Sequence, residues 1–162
     1  MIGSRFRIKP DFTDGVIDLI PADLGVPEPS LGFREVYDYY ITPHGRLKEA
    51  GQISIRLGEG EGIYYFGHIG YHINKRYQGQ HWALRACRLI QPLLEGAGMT
   101  SVVLTTDPDN VPSIRTIERL GSILERTVPV PKAFREKYEI SAVKRRYIWR
   151  LNGALRIDDL EQ

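Results

Sequence analysis

The clearest periodicity in the chain lies between Gly51 and Leu57, where Ile53, Ile55 and Leu57 alternate with Gln52, Ser54 and Arg56. A period of two places the apolar set on one face of a half-buried strand. Runs from Glu35 to Ile41 and from Ile63 to Ile73 predict strands on either side of it. The glycine-rich stretch Gly58-Glu59-Gly60-Glu61-Gly62 suits a hairpin turn, so the three strands read as an antiparallel meander. Upstream, Arg5-Phe6-Arg7-Ile8 and Val16-Ile17-Asp18-Leu19 suggest short strands. Pro21, Pro27 and Pro29 argue against a sustained helix before Gly32.

From residue 79 the period changes. Ala83, Leu84, Cys87, Ile90, Leu93 and Leu94 recur at helical spacing, while Arg85, Arg88 and Glu95 fall elsewhere. Pro92 should kink this helix or weaken its last turn, and Gly96 and Gly98 supply a stop. Ser101 to Thr106 is a β-rich run expected to be buried on both faces. Asp107-Pro108-Asp109-Asn110 forms a loop, followed by a short helix from Ser113 to Leu120 closed by Gly121. Ile123 to Val128 and Tyr147 to Leu151 read as further strands. Strand, helix, parallel strand, helix attached to a meander defines an α/β (α+β) fold. No repeat or low-complexity linker divides the chain, so residues 1–162 are expected to form a single domain.

Composition narrows the classes. Apolar residues make up 42% and charged residues 26%, which excludes a disordered chain. The 22 basic and 20 acidic side chains nearly cancel, so neither a nucleic-acid partner nor a membrane surface is implied. The run Lys144-Arg145-Arg146 could in principle contact nucleic acid, but the near-neutral total argues for a solvated face. A lone cysteine, Cys87, with no apolar leader after Met1, points to a reducing cytoplasm. Its helical spacing makes it a core residue rather than a nucleophile. No Cys-and-His spacing suggests a metal.

The informative stretch runs from His68 to Ala83. A strand enters a turn containing Gly79 and continues directly into an amphipathic helix. First-turn amides of a helix lack intrahelical partners and sit at its positive dipole end, a geometry that binds phosphate. Gly79 would let a diphosphate approach without a Cβ in the way. Glycine spacing alone is a weak signal, and neither a Gly-Lys-Ser/Thr ending nor a three-glycine dinucleotide fingerprint is present.

Arg76-Tyr77-Gln78-Gly79-Gln80-His81 resembles the pyrophosphate motif of the GNAT acyltransferases, (Gln/Arg)-x-x-Gly-x-(Gly/Ala). The strand beginning Gly67-His68-Ile69-Gly70-Tyr71 resembles the family's strand before the motif. Thr105 to Ser113 and Glu118-Arg119-Leu120-Gly121 are similar to its next strand, loop and helix. Order and spacing agree from about Gly51 to Val128. His81 departs from the pattern, standing where the family has Gly or Ala; in a helical first turn its side chain would be allowed but would crowd the phosphates.

The resemblance implies a mixed, mostly antiparallel central sheet, flanked by helices and splayed at the coenzyme site, with acetyl-CoA as cosubstrate and no metal. The pantetheine arm would pair with the backbone of Tyr71, His72 and Ile73. Arg76 belongs to the motif, and amides from Gln78 through Gly79, Gln80, His81, Trp82 and Ala83 would hold the pyrophosphate. Asn110 resembles the loop asparagine that bonds the pantetheine amides. His68 stands where many relatives carry a glutamate base, so it is either a catalytic base or a hydrogen-bonded strand histidine. His72, at the same strand parity, would face the same side. Ile117 replaces the helix tyrosine that often protonates the leaving thiolate. Ser113, one turn earlier, is then either the proton donor or simply a helix N-terminal residue. The implied activity is acetyl transfer to an amine acceptor, a small molecule or a protein amine, by direct attack in a monomer or homodimer. The competing reading is a non-catalytic acyl-CoA-binding sensor or interaction module.

Overall fold

A computed structural model describes residues 9–151, and the run Arg5-Phe6-Arg7-Ile8 lies outside them. Eight strands form one sheet in the order β1-β2-β3-β4-β5-β6-β8-β7. They are β1 (Phe12–Thr13), β2 (Ile17–Glu28), β3 (Phe33–Pro43), β4 (Gly51–Gly58), β5 (Ile69–Ile73), β6 (Ser101–Thr106), β7 (Ile123–Pro129) and β8 (Val143–Arg150). Every neighbouring pair is antiparallel except β5 and β6. The helices are α1 (Glu61–Phe66), α2 (Trp82–Leu89), α3 (Gln91–Gly96), α4 (Val111–Arg119) and α5 (Lys132–Tyr138).

The alternation in β4 survives folding: Ile53 and Ile55 are fully buried and join Ile41, Ile69, Leu104 and Trp149 in the core. Burial of each such side chain contributes roughly 1.5–3 kcal/mol. The apolar stripe of α2 closes the same face through Trp82, Ala86 and Cys87, while α4 contributes Ile117. The expected long helix is two, α2 and α3, broken at Ile90 with Pro92 in the first turn of the second. There the missing proline N–H costs nothing. Residues 101–106 bury one face fully and the other only in part. The half-covered face lies under α1, whose Tyr65 carbonyl accepts from Thr105 Oγ1 at 2.8 Å.

Three expectations are corrected. The run from Ile63 to Ile73 is a helix followed by a strand, α1 then β5, so the glycine-rich stretch is not a simple hairpin turn. Local preference for a strand at Ile63-Tyr64-Tyr65-Phe66 yields to packing. Tyr65 and Phe66 stack on Phe134 at 5.0 and 5.7 Å between ring centroids. Phe134 belongs to α5, which the sequence pattern did not reveal. Second, β2 is long and passes through Pro21 and Pro27. β1 pairs only as far as Leu19, so the rest of β2 is an edge strand, and its ladder to β3 is bulged at both prolines. Third, Lys144 and Arg146 are not a solvated face. The Lys144 ammonium pairs with Asp107 at 2.7 Å, and buried Arg146 lies over the Tyr64 ring and pairs with Glu125 at 3.4 Å.

Candidate functional site

Between β5 and β6 the sheet comes apart. The two strands pair at one position, Ile69 with Leu104, and then diverge. Asn74 N–H donates to the Ala50 carbonyl across β4 at 2.8 Å. The alternation of an antiparallel ladder therefore turns the backbone groups of His72 toward β4 and those of Tyr71 and Ile73 toward the gap. Of the three residues expected to present backbone to a ligand, Tyr71 and Ile73 do and His72 does not. His72 is exposed and is among the residues lining the cleft. The Ile73 carbonyl already accepts from Gln78 Nε2 at 2.9 Å, so that side chain bridges the open end of the strand.

The gap leads into a cleft of about 590 Å³ bounded by β5, the 79–83 turn and α4. Gly79 has φ +86°, and a Cβ built there meets nothing within 4 Å. The turn is left-handed because of this residue, and the space above it is open. His81 also sits in the left-handed region, at φ 61°, as the residue preceding α2. It is not in a helical first turn, contrary to the sequence expectation. A left-handed backbone explains physically why a residue without a Cβ suits this place. The ring lies against Arg119, whose Nη1 is 2.7 Å from Nδ1 and 2.9 Å from Nε2. Trp82 and Ala83 are buried, and Trp82 stacks on Tyr77 at 5.2 Å, fixing the turn against the helix. Arg76 and Gln80 are exposed; Arg76 lies 5.8 Å over the Tyr77 ring, and Gln80 Nε2 donates to the Tyr77 carbonyl at 3.3 Å.

On the opposite wall, Asn110 is the N-cap of α4, its Oδ1 accepting from Ser113 N–H at 3.3 Å. Asn110 also lines the cleft. Ser113 Oγ lies 3.1 Å from the Tyr71 hydroxyl. Burial, more than any other influence, pushes this phenol far above its ordinary value, so it is protonated throughout the physiological range. Reading the sequence assigned Tyr71 a backbone role and missed its hydroxyl. It also missed Arg115 and Arg119, which line the cleft from α4. Their i, i+4 spacing was the available signal. No carboxylate lines the cleft, whereas His72, His81, Arg115 and Arg119 do.

His68 is not brought into the cleft. It precedes β5 at a bend, and its Nδ1 accepts from Val103 N–H at 2.9 Å while its own N–H donates to the Val103 carbonyl at 2.8 Å. Burial, with Arg146 and Arg56 adding to it, lowers its pKa to about 4. The shared parity with His72 is lost because His68 lies outside the strand. His68 therefore acts as a pin between β5 and β6 at the point where they part. Cys87 is fully buried in α2, and burial raises its thiol to about 12. Tyr138 and Tyr147 also point elsewhere, Tyr138 toward the Ser30 carbonyl and Tyr147 into the core. Among the described residues no group of His, Cys, Asp or Glu is placed to hold a metal ion. No helix among them is long and apolar enough to cross a membrane.

A sheet splayed beside a glycine turn and an amphipathic helix is the arrangement that the resemblance to acyltransferases implies. The chain belongs to the acetyltransferase (GNAT) domain family, whose model matches residues 30–123. Among solved structures it is similar to a microcin C7 self-immunity acetyltransferase in complex with acetyl-CoA and AMP. That match has 20% identity and a TM-score of 0.55, covering 72% of this chain and 61% of the other. It is also similar to a ribosomal-protein-S5-alanine acetyltransferase from Vibrio fischeri, with 17% identity, TM-score 0.56, and 75% and 64% coverage. An acetyltransferase from Salmonella typhimurium that modifies the N-terminal serine of ribosomal protein L7/L12 matches at 18% identity, TM-score 0.55, and 76% and 67% coverage. The chain thus spans 61% and 64% of the length of the first two. At these identities the likeness is one of fold. No curated protein matches the sequence.

Proposed function

We propose that the protein is an N-acetyltransferase that takes an acetyl group from acetyl-CoA and transfers it to an amine, acting in the cytoplasm. The observation that carries the reading is the cleft itself, which has open space over Gly79, the N-terminus of α2 behind it, and only cationic charge in its lining. A polyanionic coenzyme fits that chemistry, with the amides of the 79–83 turn and Arg119 toward the phosphates. Backbone groups turned to the gap at Tyr71, with the Ile73 N–H beside them and Asn110 opposite, suit the two amide groups of a pantetheine arm. The buried, unreactive Cys87 supports direct transfer and is compatible with a reducing compartment.

Acetyl-CoA supplies a thioester whose carbonyl carbon accepts the amine lone pair while the carbon–sulfur bonding pair leaves with sulfur. Tyr71 lines both this cleft and a second cavity, and its hydroxyl would donate a hydrogen bond to negative charge on that sulfur. Its raised pKa makes it a fixed donor rather than a group that gives up its proton outright. Ser113 Oγ orients it. The proton lost by the amine leaves through water, and His68, half-buried at the pin, takes no part in that transfer.

Titration calorimetry with acetyl-CoA tests the reading directly. Micromolar binding followed by thiol release with an amine is expected. Absence of binding at millimolar coenzyme would remove it.

A further inference from the structure

On the far side of the sheet gap lies the second cavity, of about 210 Å³. It shares Tyr71, Asn110 and Ser113 with the coenzyme cleft, so whatever occupies it meets the thioester end of that cleft. Its remaining polar lining is dominated by Arg56, Asp107 and Lys144. Two of these charges compensate each other. The Lys144 ammonium donates to Asp107 Oδ1 at 2.7 Å, and Ser141 Oγ donates to the same oxygen at 2.6 Å. Burial works against the Asp107 carboxylate, but these partners outweigh it and hold its pKa below the ordinary value. Among the described residues both of these bonds fall on Oδ1.

Arg56 is compensated only in part, by the more distant charge of Asp38. It projects from the outer face of β4 across β5, between the rings of Phe33 and Phe66 at 5.7 and 5.8 Å. Nη1 donates to the carbonyls of Phe66 at 3.1 Å and Gly67 at 3.4 Å. Among the described residues no carboxylate forms an ion pair with it. The guanidinium reaches this place because residue 70 is glycine: a Cβ there would collide with Arg56 Nη2. Burial draws the group below its ordinary pKa, partly offset by the charge of Asp38. Desolvating a cation without a carboxylate is costly unless a ligand supplies the counter-charge.

We infer that the acceptor is an amine bearing a carboxylate a few atoms away, its carboxylate seated on Arg56 and its ammonium directed to Asp107 beside the Tyr71–Ser113 pair. The planar fork of arginine suits a carboxylate. The volume admits a free amino acid or the first residue of a chain. This inference rests on the transferase reading, because it takes the amine as the group that reacts.

The test compares alanine, serine and methionine with their carboxamides, using thiol release for turnover and calorimetry for binding to the coenzyme-free protein. A carboxamide has the less basic amine and the larger neutral fraction, so chemistry alone favours it. Losing a charged hydrogen bond is nevertheless expected to lower its kcat/KM by about tenfold or more. Arg56→Gln should bring the acid-to-amide ratio to one or below, where the intrinsic preference for the amide sets it, with the Kd for acetyl-CoA unchanged. Gly70→Ala, which displaces the guanidinium and keeps the charge, should do the same in a chain that retains Arg56. A second arm sets dipeptides beginning with aspartate against those beginning with asparagine. Preference for the aspartyl peptides alone assigns the same carboxylate to a protein N-terminus. Equal handling of acid and amide in both arms, or a ratio unaltered in a folded Arg56→Gln protein, overturns the inference and leaves the transferase reading standing. If acetyl-CoA does not bind, the transferase reading falls, and Arg56-dependent binding of acid over amide to the free protein still decides this site. If nothing in either arm binds or turns over, the inference is overturned.

Discussion

Gly79 permits a prediction in which steric and electrostatic effects separate. Its left-handed φ of +86° is one that asparagine and aspartate also adopt, and no atom lies within 4 Å of a Cβ placed there. Gly79→Asn and Gly79→Asp should therefore fold alike, each with similar loss of stability. They differ by one negative charge, set above the turn where the pyrophosphate is proposed to lie. Two phosphate charges about 5 Å from that carboxylate repel it by roughly 1.5 kcal/mol even at the dielectric of bulk water, close to a tenfold loss of affinity. Salt at physiological strength screens over about 8 Å and trims the effect, while lower salt enlarges it. Calorimetry of acetyl-CoA binding at two ionic strengths, alongside urea melts of both variants, supplies the numbers. Gly79→Asp should bind several-fold more weakly than Gly79→Asn, with the gap widening as salt falls. Equal affinities in two folded variants would refute phosphate placement at this turn.

The other predictions concern protons and thiols. His68 has its pKa depressed to about 4 in the folded chain against an unfolded value near 6.5, so the unfolded state binds more protons between these limits. Its contribution is fully present above the unfolded pKa and is lost as pH falls from about 6.5 toward 4, by roughly 2–4 kcal/mol. Urea melts should show that slope flatten in His68→Gln, and an unchanged slope would contradict the burial argument. Tyr71→Phe should lower kcat about a hundredfold with little change in coenzyme affinity, read by steady-state kinetics and calorimetry, and an unaltered kcat would remove the phenol from the chemistry. Cys87 should resist a disulfide reagent in the native protein and react once denatured. Rapid native labelling would show that its helix is not packed as described.

Sequence legibility followed the range of the forces involved. The alternation in β4 and the apolar stripe of α2 are local patterns with one solution each, and both are present. The turn at Gly79 was legible as a structure because a glycine, a strand and a helix are contiguous around it. Helix α1 was not, since strand-forming aromatics at 64–66 become helical only against Phe134 and Tyr138, dozens of residues away. The role of Arg56 was hidden for the same reason. As one polar position in an alternating strand it resembled Gln52 and Ser54, and only the fold carries its side chain across Gly70 into a cavity. His68 misled in the opposite direction, because its motif position was right and its hydrogen bonds to Val103 were invisible.

The single pairing of β5 with β6 at Ile69 and Leu104, pinned by His68, divides the sheet into two leaves joined at a hinge. One leaf runs from β1 to β5 and the other comprises β6, β8 and β7. Each is internally laddered, yet below the hinge only side chains hold them together. The amides of Tyr71 and Ile73 therefore belong to a seam whose exchange with solvent need not await global unfolding. A ligand bonded to both leaves would close that seam, raising protection at those amides far more than elsewhere in β5. In that sense the substrate would serve as a missing strand, and occupancy would be recorded in the cohesion of the sheet as well as in turnover.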